Sequence, residues 1–359
     1  MTDYVRYDAS QISAWMTAVF EKLGVPSRDA AITTDTLVDS DLMGIDSHGL
    51  ARVAVHPSYA RGLREGTVDP NAVPEVVYEA AATAVVDGHG GLGPVAATRA
   101  MELAIDKARE TGAGFVSVTN SRHYGAAAHY SRMALEHGMI GISMTIGGLG
   151  VVPTFGRGRR IGINPMSVAA PAENEPPFIL DIATSVVAAG KLELAKMAGK
   201  QVPLGWIVDA EGKPTTDPDD FWRGGALLPL GGAPETGSYK GYGLSVMIDI
   251  FCGILSGLGF SAGLKTAGQD ATPHFQGALR VDGFRPLGGF KAMMDDLLQT
   301  LKATEPAEGA ERVLVHGEKE ARARLDRERN GIPYHRQVVG TLEQLAGDVG
   351  IPLPAPVPG

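Results

Sequence analysis

Near the start of the chain, apolar residues recur at the spacing of one helix face. They are Ile12, Trp15, Met16, Val19, Phe20 and Leu23. Ser10 stands before this run as a candidate N-cap, and Gly24 ends it. The pattern predicts a first helix from about Ser10 and a second from Pro26-Ser27 to about Met43.

Further along the chain, short β-like runs and helical runs follow one another without regular β-α-β alternation. Strands are predicted at residues 75–80, 83–87, 114–120, 139–145, 167–171, 178–182, 206–209 and 277–282. Helices are predicted at 94–110, 124–138, 242–258 and 288–304, and the charged segment beyond Glu318 is predicted to be mostly helical. This pattern favours an α/β fold with a mixed sheet surrounded by helices.

Composition and charge narrow the class of protein. The net charge is −9 and no basic stripe is present, so we do not expect nucleic-acid binding. No run of about 18 apolar residues is present, so we do not expect a membrane span. The single cysteine, Cys252, excludes a disulfide within the chain and points to the cytoplasm. The negative net charge does not exclude a small anionic substrate. An arginine in a pocket acts on the substrate at close range, whereas distant surface charge is screened within about 10 Å.

Residues 88–93 read Gly-His-Gly-Gly-Leu-Gly and fit the G-x-G-x-x-G pattern of dinucleotide-binding Rossmann units. Such a unit also needs an acidic residue near the end of its second strand, where this chain has Asn120. We therefore favour a tight glycine turn before a helix that begins with Pro94, and we keep the Rossmann site as the alternative.

The segment around Ser47, His48 and Arg52 can supply proton transfer and carboxylate binding. An imidazole titrates near neutrality and suits proton exchange, and a serine hydroxyl can join it in a relay. Arg52 lies four residues after His48, and a guanidinium grips a carboxylate with two parallel hydrogen bonds. The alternative is a capped turn with a surface histidine and arginine.

Two further segments carry candidate chemistry. His123 stands where a predicted strand ends, and the small residues after it can let a phosphate approach a helix start. Lys240 is flanked by glycines before an apolar helix and can reach a phosphate or an oxyanion. The alternatives are a capped loop and a flexible turn with a solvated lysine. No zinc-binding pattern is present, and a metal site of His48, His89 and His123 stays as a minor alternative.

Taken together, these segments resemble the malate/L-lactate dehydrogenase family that lacks the Rossmann fold. Besides the 46–52, 87–93 and 120–127 segments, the resembling segments are 138–145, 162–171, 180–191, 214–218, 227–232 and 239–243. They extend over nearly the whole chain in a matching order and spacing. The family includes ureidoglycolate, sulfolactate and diketogulonate oxidoreductases and a piperideine-2-carboxylate reductase.

The resemblance implies a largely antiparallel mixed sheet surrounded by helices, a homodimer, and NAD or NADP as cofactor. It implies a catalytic Ser47-His48 pair, a carboxylate-binding Arg52, and His123 as a second candidate for the proton-transfer group. The implied cofactor contacts are His123, Tyr124, Gly125, Ala126, Ala127, Asp181, Ile182, Ala183 and Lys240. We divide the chain into an N-terminal and substrate-side region (1–115), a central cofactor-binding sheet (116–295) and a C-terminal helical segment (296–359).

Some positions depart from the family pattern. The acidic proton donor of the imine reductase is replaced by Lys191, which we assign to substrate binding. After Arg52, a tyrosine-rich run is replaced by a slightly longer run that ends at Tyr59, and residues 147–150 read Gly-Gly-Leu-Gly. The first hypothesis is therefore a 2-hydroxy-acid:NAD(P) oxidoreductase. The alternatives are an NADPH-dependent reductase of a cyclic imino acid, a catalytically silent binding protein and a metal-dependent hydrolase.

Overall fold

The computed structural model describes residues 3–266 and 271–358. Its strands form three sheets. They are β1 (Tyr4–Tyr7), β2 (Glu75–Glu79), β3 (Thr83–Asp87), β4 (Ala113–Ser121), β5 (Met139–Thr145), β6 (Leu149–Val151), β7 (Ile161–Gly162), β8 (Met166–Ala170), β9 (Phe178–Ile182), β10 (Ile207–Val208), β11 (Pro214–Thr215), β12 (Ala226–Leu227), β13 (Thr272–Arg280) and β14 (Ile332–His335).

The helices surround these sheets. They are α1 (Ala9–Lys22), α2 (Ser27–Leu42), α3 (Ala60–Glu65), α4 (Gly93–Thr111), α5 (Ala127–Met133), α6 (Ala189–Met197), α7 (Ser238–Ile248), α8 (Ser261–Thr266), α9 (Leu287–Lys302), α10 (Glu318–Asn330) and α11 (Arg336–Val349). Two 3₁₀ turns, Asp46–His48 and Leu50–Arg52, follow α2, and a π-helical turn, Asp249–Ile254, follows α7. None of the helices in the described ranges has the length and apolar character needed to cross a membrane.

The main sheet has seven strands in the order β2-β3-β4-β13-β5-β8-β9. Its β3–β4 pair is parallel, joined through α4, and its remaining neighbours are antiparallel. A Rossmann sheet is mostly parallel, so this topology confirms a mixed, largely antiparallel, non-Rossmann fold. A smaller sheet of order β11-β10-β12-β6-β7 lies beside it.

The glycine-rich turn at 88–93 packs against the strand end that carries His123. A β-carbon at Gly93 would lie 2.3 Å from the carbonyl oxygens of Arg122 and His123, and the Gly90 N–H donates to the Asn120 carbonyl at 2.7 Å. These glycines let two backbone segments touch. The favoured tight turn is therefore found, and the Rossmann alternative is wrong.

The two ends of the chain share one core. β1 pairs antiparallel with β14, with Tyr4 opposite His335. The apolar faces of α1, α2 and α11 meet in this core, where Phe20, Leu37 and Leu342 are all fully buried. This core lies directly behind the two 3₁₀ turns and fixes their base, because Leu50 and Val53 belong to it.

Several predicted boundaries need correction. Asp8, not Ser10, caps α1, because its carboxylate accepts the N–H groups of Ser10 and Gln11 at 3.0 Å. The helix predicted from residue 124 begins at Ala127, since Gly125 adopts a φ of 83°. The charged tail contains β14 between its two helices, which the sequence reading did not predict.

Candidate functional site

A cleft of about 620 Å³ lies between the 3₁₀ turns, the β4–α5 connection, and the segments that follow β5 and precede α6. Its lining includes Ser47, His48, Arg52 and His123, which come from positions up to 76 residues apart in the chain. The sequence reading placed acid–base and carboxylate-binding roles on these four residues. The structure brings all four together.

The two 3₁₀ turns are held from below by a buried carboxylate. Oδ2 of Asp41, in α2, accepts the Leu50 N–H at 2.9 Å and the Tyr334 hydroxyl at 2.7 Å. Its Oδ1 packs so closely on Gly49 that a β-carbon there would lie only 1.7 Å away. Burial raises the pKa of Asp41 to about 7. Asp41 therefore fixes the distance between α2 and the 3₁₀ turns, and with it the position of His48.

His48 and Arg52 are joined through Ser47. The Ser47 hydroxyl lies 2.9 Å from Nδ1 of His48, and Nε of Arg52 donates to the Ser47 carbonyl at 2.6 Å. The predicted single helix face is replaced by two 3₁₀ turns separated at Gly49, whose backbone is extended. Both side chains nevertheless reach the same cleft.

His123 is fixed from its Nδ1 side. Nδ1 accepts the Gly125 backbone N–H at 3.3 Å and lies 2.7 Å from the hydroxyl of the fully buried Tyr59. Behind it, the ring of Tyr124 stacks on His274, with ring centres 4.4 Å apart. The His123 ring is therefore held in one orientation before any ligand arrives.

A third imidazole, His56, completes the cluster. Its ring centre lies 4.7 Å from that of His123, and the His48 ring centre lies 5.6 Å from His123 on a nearly parallel plane. The sequence reading assigned no role to His56 or to Tyr59. One signal was available, because His56 lies four residues after Arg52, as Arg52 does after His48.

All three imidazoles are held neutral at physiological pH. Burial lowers the pKa of His48 to about 4, with repulsion from Arg52 and then His56 adding to the effect. Burial and Arg52 lower the pKa of His56 to about 4. The pKa of His123 lies well below its ordinary value, first through burial and then through the neighbouring His48 and His56. Solvent reaches these rings through the cleft, while protein covers them on their other sides.

Among the described residues that line the cleft, Arg52 carries the one formal charge, and no aspartate or glutamate is present. No described carboxylate forms an ion pair with Arg52 either. The cleft therefore combines an unpaired cation with several neutral hydrogen-bonding groups, an environment suited to a small anion.

Part of the cleft wall consists of small residues. Gly147, Gly148, Ala188, Ala189 and Gly190 line it. A β-carbon at Gly148 or Gly190 would meet no atom within 4 Å, so both face open space. A flat aromatic ring fits against such a wall. Thr145 also belongs to the lining, and its hydroxyl donates to the Pro273 carbonyl at 3.0 Å. The donor set and the space therefore fit a nicotinamide.

The other predicted contacts lie around this cleft. Tyr124 and Gly125 line it, and Ala126 and Ala127 follow at the start of α5. Asp181 is buried, accepts the Ala128 N–H at 2.9 Å, and has its pKa raised to about 7 by burial. Ile182 is the last residue of β9. The cleft wall does not include Asp181, Ile182 or Ala183.

The two predicted lysines are exposed. Lys191 lies in α6 directly after the wall residue Gly190, with its Nζ 5.9 Å from the ring centre of Trp206. Lys240 lies in the first turn of α7, and its Nζ is 5.8 Å from the ring centre of Tyr239. Neither belongs to the cleft wall.

The minor metal-site alternative does not form. His89 lies 3.2 Å from Glu75 and is not part of the cleft wall. Within the described residues, no group of three or more histidine, cysteine or acidic side chains is arranged to hold a metal ion.

Comparison with known proteins agrees with this geometry. Residues 7–343 match the profile of a family described as malate/L-lactate dehydrogenase. A malate dehydrogenase from Pyrococcus horikoshii is 42% identical over 97% of this chain and 97% of its own length. An L-sulfolactate dehydrogenase from Methanocaldococcus jannaschii is 37% identical over 93% of this chain and 94% of its own. The crystal structure of malate dehydrogenase from Entamoeba histolytica aligns with a TM-score of 0.93 at 32% identity, covering 98% of this chain and 100% of that one. The chain therefore belongs to the malate/L-lactate dehydrogenase family and is an oxidoreductase.

Proposed function

We propose that this protein transfers a hydride between the nicotinamide of NAD or NADP and C2 of a small 2-hydroxy or 2-keto acid. The observation that carries the proposal is the convergence of three neutral imidazoles and Arg52 on one cleft, where the described wall residues include no acidic side chain. In the oxidative direction, the hydrogen on C2 leaves as hydride with the two bonding electrons, the hydroxyl proton goes to a base, and a keto acid forms.

Arg52 binds the substrate carboxylate in this proposal. Its Nε is already engaged by the Ser47 carbonyl, which orients the guanidinium and leaves the terminal nitrogens for the ligand. Two parallel hydrogen bonds fix the direction of the carboxylate and hence the position of C2. A lysine at this position keeps the charge but loses the two-pronged grip.

The hydrogen bonds at Nδ1 separate the roles of the imidazoles. A backbone N–H always donates, so Nδ1 of His123 and Nδ1 of His56 are acceptors, and their protons lie on Nε2. His48 instead faces the Ser47 hydroxyl, which can accept as well as donate. His48 is therefore the imidazole that can present an unprotonated Nε2 to the substrate hydroxyl and take its proton. His123 donates a hydrogen bond to the same oxygen.

The small-residue wall and the β4–α5 connection hold the cofactor in this proposal. When bound, NAD(P) accepts the hydride in oxidation and supplies it in reduction. Gly148 and Gly190 leave room for the ring. The proposal also includes cofactor contacts from residues 123–127, from residues 181–183 and from Lys240. It includes a substrate-binding role for Lys191.

A substrate and cofactor panel tests the reaction. Malate, lactate, sulfolactate and their keto acids, with piperideine-2-carboxylate, are each measured with NAD(H) and NADP(H) by nicotinamide absorbance. Turnover of hydroxy or keto acids supports the proposal, and the faster cofactor identifies the specificity. Turnover of the imine alone would support the alternative reductase, and neither turnover nor cofactor binding would support a silent binding protein.

An arginine-to-lysine pair tests the carboxylate grip. Arg52→Lys is expected to raise KM by roughly 10- to 100-fold with a smaller change in kcat, because one bidentate contact is lost. Arg61→Lys is the matched control, since Arg61 pairs with Glu65 on an exposed helix face. Equal kinetics for both variants would place the carboxylate elsewhere.

We further propose that the protein acts in the cytoplasm as a homodimer. Support for the dimer comes from an apolar hollow of about 650 Å³ on the main sheet, lined by Phe115, Ile142, Phe275 and Leu255. Leu255 is 54% exposed, and Ile254 before it in the chain is 55% exposed. Apolar patches of this kind mark protein–protein contacts in soluble proteins.

A charge placed in this hollow tests the dimer. Leu255→Glu is expected to give a monomer by light scattering, because an unpaired carboxylate would be buried in the contact. Leu325→Glu, on the exposed face of α10, is the control and leaves the mass unchanged. A monomeric unmodified protein, or a dimer that tolerates Leu255→Glu, would contradict this interface.

A further inference from the structure

The segment from Val53 to Tyr59 forms part of the cleft wall and is anchored at both ends. Val53 and Tyr59 are fully buried. Between them, the His56 N–H donates to the Arg52 carbonyl at 2.8 Å, and the Tyr59 N–H donates to the His56 carbonyl at 3.3 Å. The backbone of His56 is therefore fixed relative to Arg52, the proposed carboxylate-binding residue.

The His56 side chain is fixed as well. Its Nδ1 accepts the Ser58 N–H at 3.2 Å, and the Ser58 hydroxyl oxygen accepts the His123 N–H at 3.3 Å. The chain after it is tightly packed, since a β-carbon at Gly62 would lie 1.8 Å from the Pro57 carbonyl oxygen. The ring is thus oriented before a ligand binds, which lowers the entropic cost of a contact with it.

The remaining polar group of this ring is a donor that faces no acceptor within residues 3–266 and 271–358. With Nδ1 occupied, the proton of neutral His56 lies on Nε2, and no described protein atom accepts it. His56 belongs to the cleft wall and lies one helical turn from Arg52. Arg52 can satisfy one carboxylate, so a substrate with a second acidic group needs a further donor. The wall residues that the structure describes include no competing carboxylate.

We propose that His56 is a specificity-determining residue that binds a second acidic group of the substrate, a carboxylate or a sulfonate, and so selects dianionic over monoanionic hydroxy acids. This inference rests on the proposed function and adds the substrate class to it. A negative group beside His56 also stabilises the protonated imidazole, which strengthens the hydrogen bond to that group.

A purely structural role for His56 predicts a different result. In that case the ring only supports Ser58 and the neighbouring His123, and its loss would lower activity on all substrates by the same factor. The variant that separates the two roles is His56→Asn. Asparagine can accept the N–H two residues on, as Nδ1 does here, but it is too short to extend a donor to the position of Nε2.

The test compares kcat/KM for malate and lactate, both enantiomers of each, in the full-length protein. His335→Asn is the matched control, because Nδ1 of His335 accepts the Gln337 N–H in the same way and His335 does not line the cleft. We expect unmodified protein to prefer malate. We expect His56→Asn to lower kcat/KM for malate by about 10- to 100-fold and for lactate by less than about threefold. The control is expected to match unmodified protein.

Three outcomes would overturn the inference: no preference for malate in unmodified protein, an unchanged preference in His56→Asn, or an equal loss on both substrates. Failure of the proposed function is a separate result, because unmodified protein would then oxidise neither malate nor lactate with NAD or NADP.

Discussion

At the scale of single residues, His48 is in the unprotonated form that a general base requires. Its lowered pKa, about 4, leaves it unprotonated at pH 7 in the free protein, ready to act as a base. The reductive direction needs a proton on the same ring. A substrate carboxylate on Arg52 cancels part of the repulsion that lowers the pKa of His48, so anion binding helps the ring to acquire that proton.

This assignment predicts a pH profile. For hydroxy-acid oxidation, we expect the His48-dependent limb of kcat/KM to be flat at neutral pH and to fall as the pH approaches about 4, where His48 becomes protonated. His48→Gln is expected to lower kcat by about 10²- to 10⁴-fold and to lose this limb.

His137→Gln, at an exposed histidine beside Arg109, is the control for that experiment, and circular dichroism at each pH confirms folding. If His48→Gln keeps full activity while His123→Gln loses the acid limb, the roles of the two histidines are reversed.

At the scale of elements, local patterns predicted much of the structure. The apolar positions of α1 and α2, and the strands at 83–87, 139–145 and 178–182, lie where the sequence placed them, since 3.6- and two-residue periodicities depend only on near neighbours. The choice between Asp8 and Ser10 as cap could not be made from sequence, because both residue types cap helices and only backbone geometry selects one.

Contacts between distant segments were beyond this reading. Nothing local in residues 332–335 indicates that they pair with residues 4–7, which lie more than 320 positions away. His56 and Tyr59 were missed for the same reason, because their importance comes from contacts with His123 across 64 or more residues. Ser47, His48, Arg52 and His123 were predicted to share a site because their residue types suit the chemistry and their segments resemble a family, and all four line the cleft.

The close contact beneath the two 3₁₀ turns gives an element-scale prediction. Gly49→Ala would place a β-carbon 1.7 Å from Oδ1 of Asp41, so the turns must move away from α2. We expect a loss of about 1–3 kcal/mol in the free energy of unfolding and about 10²-fold in kcat/KM.

Gly347→Ala is the matched control for this substitution. A β-carbon there meets no atom within 4 Å, and the residue lies inside α11, so a gain of up to about 1 kcal/mol in stability is expected. Unchanged kinetics in Gly49→Ala, measured beside this control, would show that Asp41 does not position His48.

At the scale of the whole molecule, the C-terminal segment supports the two 3₁₀ turns that carry His48 and Arg52. Arg327, in α10, donates to the Asp41 carbonyl at 2.5 Å and pairs with the carboxylate of Asp46. Tyr334, in β14, reaches the Asp41 carboxylate. Residues 318–335 are therefore part of the structure that supports the cleft, although none of them lines it.

A buried ion-pair network links the same regions. Asp39, in α2, pairs with His129 and Arg132 of α5 and with Arg324 of α10, and these partners hold the pKa of its carboxyl far below the ordinary range despite burial. Asp39→Asn leaves the half-buried Arg132 and Arg324 short of a counter-charge. We expect a loss of about 3 kcal/mol in the free energy of unfolding, measured in urea.

Glu65→Gln provides the comparison, because its partner Arg61 is exposed and such pairs contribute about 1 kcal/mol or less. Equal stability of the two variants would mean that the network does not hold α2, α5 and α10 together.

The lowered pKa values of the cleft imidazoles also determine how the protein reacts with acylating reagents. Only a neutral imidazole is nucleophilic, and at about pH 5.5 an ordinary exposed histidine is mostly protonated. His48 stays neutral at that pH and is the imidazole that can present an unprotonated Nε2 to the cleft. Mild acid therefore directs such a reagent toward His48 and away from the surface. A substrate analogue that fills the cleft shields the same ring, so the modified position maps the binding site without a mutation.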